Sequence, residues 1–268
     1  MKKIFRYSLL VSLAAIMAAC STVPLSGRKQ LALVSDDQIQ QQAAVAYKEF
    51  LGNPNTKVVT GTSDATQVKR VGNRIAAAVN QYLKAEGLSN QFNFNWEFNL
   101  VQSGDVNAWC MPGGKVAVYT GILPFTANED GLATVMGHEI AHAIARHSME
   151  QMSKQIVLQG GAQIIGVATA EKSAIFRSAV NNFYGIGGQL AMLSYSRSNE
   201  SEADQLGLMF MAMAGYNPQH AVAFWERMAS AKSKANSTPE FLSTHPSDAR
   251  RVADIQKLIP RAMQYYKK

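Results

Sequence analysis

Hydrophobic positions along the chain change period several times, and each change marks an element. From Ser63 to Ala85, Val68, Val71, Ile75, Val79 and Tyr82 recur at steps of three and four, the spacing of one face of a helix. Asp36 to Phe50 reads the same way. The period then drops to two: Phe92, Phe94, Trp96 and Phe98 alternate with polar residues, which predicts a half-buried strand. Pro112-Gly113-Gly114 separates two further strand patterns, Asp105–Met111 and Lys115–Tyr119, and predicts the turn of a hairpin. A long helix follows, capped by Asn128, with Glu129 and Asp130 suited to the positive end of its dipole, and is expected to run to about Lys154. Ile156–Ala170 is apolar but short and broken by glycine and glutamine, so a buried helix is expected there rather than a membrane span. After a break at Gly185, Gly187 and Gly188, helices are expected over Ser198–Ala214, Pro218–Ala231 and Ser247–Tyr266. The pattern predicts a mostly α (α+β) fold, with a small sheet before the long helix.

The two ends of this picture differ in character. Residues 1–19 hold Lys2, Lys3 and Arg6, then an apolar run from Tyr7 to Ala19, as a secretory signal peptide does. Small residues directly before Cys20 resemble the lipobox of bacterial lipoproteins. That resemblance implies an acylated Cys20 as a membrane anchor and, with Ser21 next, the outer membrane; an ordinary cleaved signal with an incidental cysteine is the alternative. Residues 20–35, with Pro24 and Gly27, are expected as a lipid-anchored tether, and residues 36–268 as one folded domain that carries the motifs below. With 47% apolar and 17% charged residues, such a chain can bury a sizeable core. The formal charge is +7, and three of those cations lie in residues 1–19. The remaining mild excess is spread along the chain, which excludes nucleic acid as a partner. Cys110, the only other cysteine, is expected to be a buried small apolar residue.

The chemistry lies in Gly137-His138-Glu139-Ile140-Ala141-His142. Residues four apart on a helix differ by about 40° around its axis, so both imidazoles leave one face and can meet one Zn2+ at about 2.0–2.1 Å. Glu139, beside the first ligand, is placed to act as the base that takes a proton from an attacking water. Two ligands are too few. The position ten residues after His138 is Ser148, so no third histidine follows at metzincin spacing. His147 falls on the opposite side of a continuous helix and is expected in a core or helix-end role. In Asn199-Glu200-Ser201-Glu202-Ala203-Asp204, Glu200 can complete the metal set, and Asp204, four residues on, can accept the outer N–H of a ligand histidine. Glu202 is the rival ligand, projecting about 200° from Glu200. His220 is expected at the surface near a helix start.

These segments, with Asn107-Ala108, Pro112-Gly113-Gly114, Pro24 to Leu31 and Thr244-His245-Pro246-Ser247 with Arg250, resemble the zinc metallopeptidase family of the CAAX prenyl endopeptidase and HtpX. The likeness is strongest to its periplasmic lipoprotein branch, of LoiP and BepA type, without tetratricopeptide repeats. The resemblance implies a zincin-like fold and a catalytic His245 near the metal, either stabilising the oxyanion or ligating zinc at rest. It also implies a role in quality control of unfolded or misassembled envelope proteins. The location implied is the periplasmic face of the bacterial outer membrane. The alternative is an outer-membrane protein assembly chaperone with a largely structural zinc. Substrate is expected to add as a strand at the edge of the hairpin around Lys115–Tyr119.

Overall fold

The computed structural model describes residues 20–160, 195–234, 239–245 and 249–266. The expected signal peptide, most of the apolar segment Ile156–Ala170 and the glycines at 185–188 lie outside them. A hairpin of β1 (Cys20–Thr22) and β2 (Lys29–Leu31) comes first. Helix α1 (Asp36–Gly52), strand β3 (Val58–Val59) and helix α2 (Ser63–Ala85) follow. Strands β4 (Glu97–Val101), β5 (Ala108–Met111) and β6 (Lys115–Tyr119) complete the sheet. A short α3 (Leu123–Thr126) leads into α4 (Glu129–Ile144) and α5 (His147–Gly160). The C-terminal half holds α6 (Arg197–Met213), α7 (His220–Lys234), α8 (Glu240–Thr244) and α9 (Ala249–Met263). The fold is mostly helical with small sheets, as the periodicity predicts. None of the described helices is long and apolar enough to cross a membrane.

The four-stranded sheet has the order β3-β4-β6-β5, with β4 and β6 parallel and the other pairs antiparallel. The helical face of α2 behaves as its spacing requires: Val68, Val71, Ile75 and Val79 are fully buried, and α2 packs on β4. Gly72 allows that approach, since a Cβ there would sit 2.4 Å from the Phe98 ring. The aromatic alternation is real but only partly a strand. Phe92, Phe94, Trp96 and Phe98 stack in one ladder with centroids 4.5–6.1 Å apart, while hydrogen-bonded pairing begins only at Glu97. The physical reason is the partner: β6 starts at Lys115, and before it the Gly113-Gly114 turn, with φ of +81° and +84°, offers only two carbonyls, to Asn95 and Glu97.

Two expectations about boundaries are revised. The long helix is interrupted after Ile144, because Arg146 adopts a left-handed φ of +54°. Its guanidinium holds the bend by bonding Asp36 at 2.9 Å and the Gln91 carbonyl, and it lies 4.1 Å over the Phe92 ring. The segment expected as a tether carries the β1–β2 hairpin instead, with Val23 and Gln30 buried against the domain.

Candidate metal centre

Helices α4 and α6 cross at two glycines. A Cβ on Gly137 would lie 2.8 Å from the Gly207 carbonyl oxygen, and one on Gly207 would lie 2.8 Å from the His138 nitrogen. Backbone meets backbone, so the residues flanking the crossing are brought close. Asn128 caps α4 by accepting from Gly131 N at 2.8 Å, and Ser196 caps α6 by accepting from Asn199 N at 3.2 Å, which fixes where each helix starts. Near the crossing, α4 carries His138, Glu139 and His142, and α6 carries Glu200 and Asp204; all five are buried. Helix α8 brings in His245. It is anchored by Phe241, whose N–H donates to the Val106 carbonyl at 2.9 Å and whose ring stacks 5.8 Å from Trp225.

His138, His142, Glu200 and His245 each offer one donor atom, and the four atoms lie within 4.8 Å of one another. His138 Nε2 is 3.1 Å from His142 Nε2 and 3.2 Å from His245 Nδ1. Glu200 oxygens lie 3.4 Å from both ligand-motif histidines and 3.0 Å from His245 Nδ1. A tetrahedral ion with ligands at 2.0–2.1 Å has edges of about 3.3 Å, so these donors fit one. The electrostatics agree. Three imidazoles and a carboxylate face one point without hydrogen-bond partners suited to all of them. Burial pushes the His142 pKa well below its usual value. Burial also opposes ionisation of Glu200, but His245, His138 and His142 outweigh it and hold its carboxyl well below the usual range. Glu202, the rival ligand, points elsewhere, to His147 and Arg28.

Glu139 stands apart from the donor set. Its Oε1 is buried without a hydrogen-bond partner among the described residues, and His245 Nε2 lies 3.4 Å from it. Burial, only partly offset by His245, raises its pKa to about 7. Asp204 lies 3.0 Å from His138 Nδ1, and Arg251 grips its carboxylate with bonds of 2.9 and 2.7 Å. Arg251 is itself held 3.6 Å over the Trp225 ring.

Some of the neighbourhood escapes sequence reasoning. Arg251, not Arg250, reaches the centre, because α9 turns Arg250 outward and Arg251 inward. Tyr195 lies over His142 with ring centroids 4.1 Å apart and bonds Ser148 at 2.9 Å. His147 is buried at the start of α5, as expected of a core or helix-end residue, and its ring also meets His142. The hairpin edge also moves: β6 is an interior strand, and β5 ends the sheet and packs on α4. Cys110 is buried on β5, where burial raises its thiol pKa well above the usual value. His220 lies at the N-terminal end of α4, 3.6 Å from Asp130.

Comparison with known proteins agrees with this geometry. The model of peptidase family M48 matches residues 62–259. The mitochondrial metalloendopeptidase OMA1 of Schizosaccharomyces pombe is 34% identical over 249 residues, covering 90% of this chain and 66% of that protein. OMA1 of Saccharomyces cerevisiae is 39% identical over 177 residues, covering 64% and 49%. The β-barrel assembly-enhancing protease of Escherichia coli is 30% identical over 186 residues, covering 66% and 38%. The chain thus spans two thirds or less of these relatives. The expected placement at the bacterial outer membrane is corrected here: the relatives matched over 90% of the chain are mitochondrial by name, and the lipoprotein branch is not singled out. Its lipobox-like residues before Cys20 carry too little information to outweigh a match along the whole domain. With the motif helix, the downstream carboxylate and the donor geometry all inside the matched region, the chain belongs to peptidase family M48.

Proposed function

We propose that this chain is a zinc-dependent endopeptidase acting on unfolded or misassembled polypeptides. The carrying observation is the buried set His138, His142, Glu200 and His245 with the unpartnered Glu139 oxygen beside it. Imidazole nitrogens with one carboxylate at tetrahedral spacing suit Zn2+ over harder cations. When bound, zinc supplies Lewis acidity to a peptide carbonyl and makes water a stronger acid. His138, His142 and Glu200 would hold the ion. Glu139 would accept a proton from the attacking water and return it to the leaving amine.

His245 belongs to the same donor set and would be a fourth ligand to a bound ion. Were substrate to take that place, His245 would be positioned to stabilise the developing negative charge. The edge strand β5 gives a peptide in extended form a row of backbone partners beside α4. Recognition through backbone favours unfolded chains over folded ones. Among the relatives, the Escherichia coli protein is named for β-barrel assembly, in line with a misassembled substrate.

The test is metal removal and return. Chelation should abolish cleavage of an unfolded protein, and one equivalent of Zn2+ should restore it where Mg2+ and Ca2+ do not. Cleavage that persists in the stripped protein would overturn the proposal.

A further inference from the structure

The N-terminal hairpin is connected to the metal centre by a chain of side chains. His142 turns Nε2 toward the other donors, which leaves Nδ1 as its outer nitrogen. That nitrogen lies 2.9 Å from His147 Nδ1, and His147 Nε2 lies 2.9 Å from Glu202 Oε2. Arg28 Nε donates to the same carboxylate oxygen at 2.7 Å, and the Ser26 hydroxyl donates to the other. Arg28 Nη2 also donates to Glu150 Oε2 at 2.8 Å, and Glu150 is further held by Asn199 at 3.1 Å. Both Ser26 and Arg28 belong to the β1–β2 segment.

The direction of every bond follows from its ends. An imidazole that offers its Nε2 lone pair to a cation carries its proton on Nδ1. His142 therefore donates to His147 Nδ1, which must be bare. His147 then carries its proton on Nε2 and donates it to Glu202, an acceptor only. Each donor meets one acceptor, and no other neutral arrangement satisfies all three groups. His138 has the simpler version of the same support: its Nδ1 meets Asp204 directly, and Arg251 grips that carboxylate. Glu202 lies on α6 away from the donor set, and His147 spans the gap. A continuous helix would set His147 about 140° from His142. The left-handed Arg146 is what brings it back.

Resting on the metallopeptidase reading, we propose that His147 is a positioning residue that fixes the ring and tautomer of His142, and that the β1–β2 hairpin, through Arg28 and Glu202, is part of the outer frame of the metal site. Metal affinity then depends on a segment that touches no ligand.

The experiment measures zinc affinity by chelator competition, the visible spectrum of the Co2+-loaded protein, and the thermal unfolding of the metal-free chain. It compares wild type with His147→Leu and Arg28→Gln. His147→Leu should weaken zinc tenfold to a hundredfold, the span usual for groups that orient a ligand histidine, and should alter the Co2+ spectrum. Arg28→Gln, whose side chain is 30% exposed and touches neither ring, should weaken zinc in the same direction while the metal-free chain still unfolds cooperatively. Should His147→Leu fail to fold, Arg28→Gln alone decides. Wild-type affinity and spectrum in the folded variants would overturn this proposal. A wild-type chain that binds no metal would instead overturn the reading beneath it.

Discussion

Replacing Gly207 by alanine sets two known effects against each other. Alanine is the better helix former by about 0.8–1.0 kcal/mol, so an open glycine inside α6 would gain stability on substitution. Gly207 is not open. A Cβ there lies 2.8 Å from His138 N and 2.9 Å from both Gly137 C and His138 Cα. Ordinary carbon contact begins near 3.5 Å, so α4 and α6 must part by roughly 0.6 Å. The atoms met are backbone, which has no rotamer to escape into. Overpacking of this kind costs about 1–3 kcal/mol, and with no relief the upper part of that range applies. The net is a loss of about 1–2 kcal/mol in the metal-free chain, read by urea unfolding. The larger effect falls on the site. Helix α4 carries His138 and His142 while α6 carries Glu200, and a metal set tolerates about 0.5 Å of displacement. Zinc affinity should fall at least about tenfold, or 1.4 kcal/mol. Gly52→Ala is the control: nothing lies within 4 Å of its added carbon, and a gain of about 0.4–1 kcal/mol is expected. A Gly207→Ala protein as stable as wild type, with unchanged zinc affinity, would refute the claim that this crossing sets the ligand geometry.

Asp204→Ala should weaken zinc by about 10–100-fold in chelator competition, because it frees the His138 ring. Asp254→Ala, which removes an exposed ion pair with Lys257, should leave affinity and stability within about 0.5 kcal/mol of wild type. Glu139 also predicts a pH dependence. Its folded pKa of about 7 exceeds the usual 4.5, so the metal-free native chain holds that proton more tightly than the unfolded chain. Stability from this group is present below about pH 4.5, is lost as pH rises to about 7, and is flat above. Relative to Glu139→Gln, metal-free wild type should lose on the order of 3 kcal/mol across that window in denaturant titrations. A pH-independent difference would contradict the burial argument.

Local patterns carry much of this structure. The spacing of Val68, Val71, Ile75 and Val79 places α2 from end to end, and the His-Glu-x-x-His spacing places three site residues on one helix. Glu200 is legible because a metal with two histidines demands a third ligand, and the start of α6 supplies an acid. What stays hidden depends on contacts distant in sequence. The bend at Arg146 is held by Asp36, Gln91 and Phe92, none of them near it in the chain, and without the bend His147 faces away. The sheet edge escapes because β4 pairs in parallel with β6 and makes it interior, an arrangement the hairpin turn alone cannot reveal. Arg28 reads as part of a tether because its partners, Glu150 and Glu202, lie more than 120 residues away.

Glu139→Gln tests the proposed chemistry most directly. This residue is not among the four donors, so the variant should bind one zinc per chain with wild-type affinity and should still bind unfolded polypeptide along β5. It lacks the carboxylate that accepts the proton, and general-base catalysis is worth about 10²–10⁴-fold. Zinc content, binding of an unfolded substrate and its rate of cleavage should be measured on one preparation. Full zinc, intact binding and cleavage reduced by at least about a hundredfold are expected. A zinc-loaded Glu139→Gln protein that cleaves at the wild-type rate would contradict Glu139 as the base.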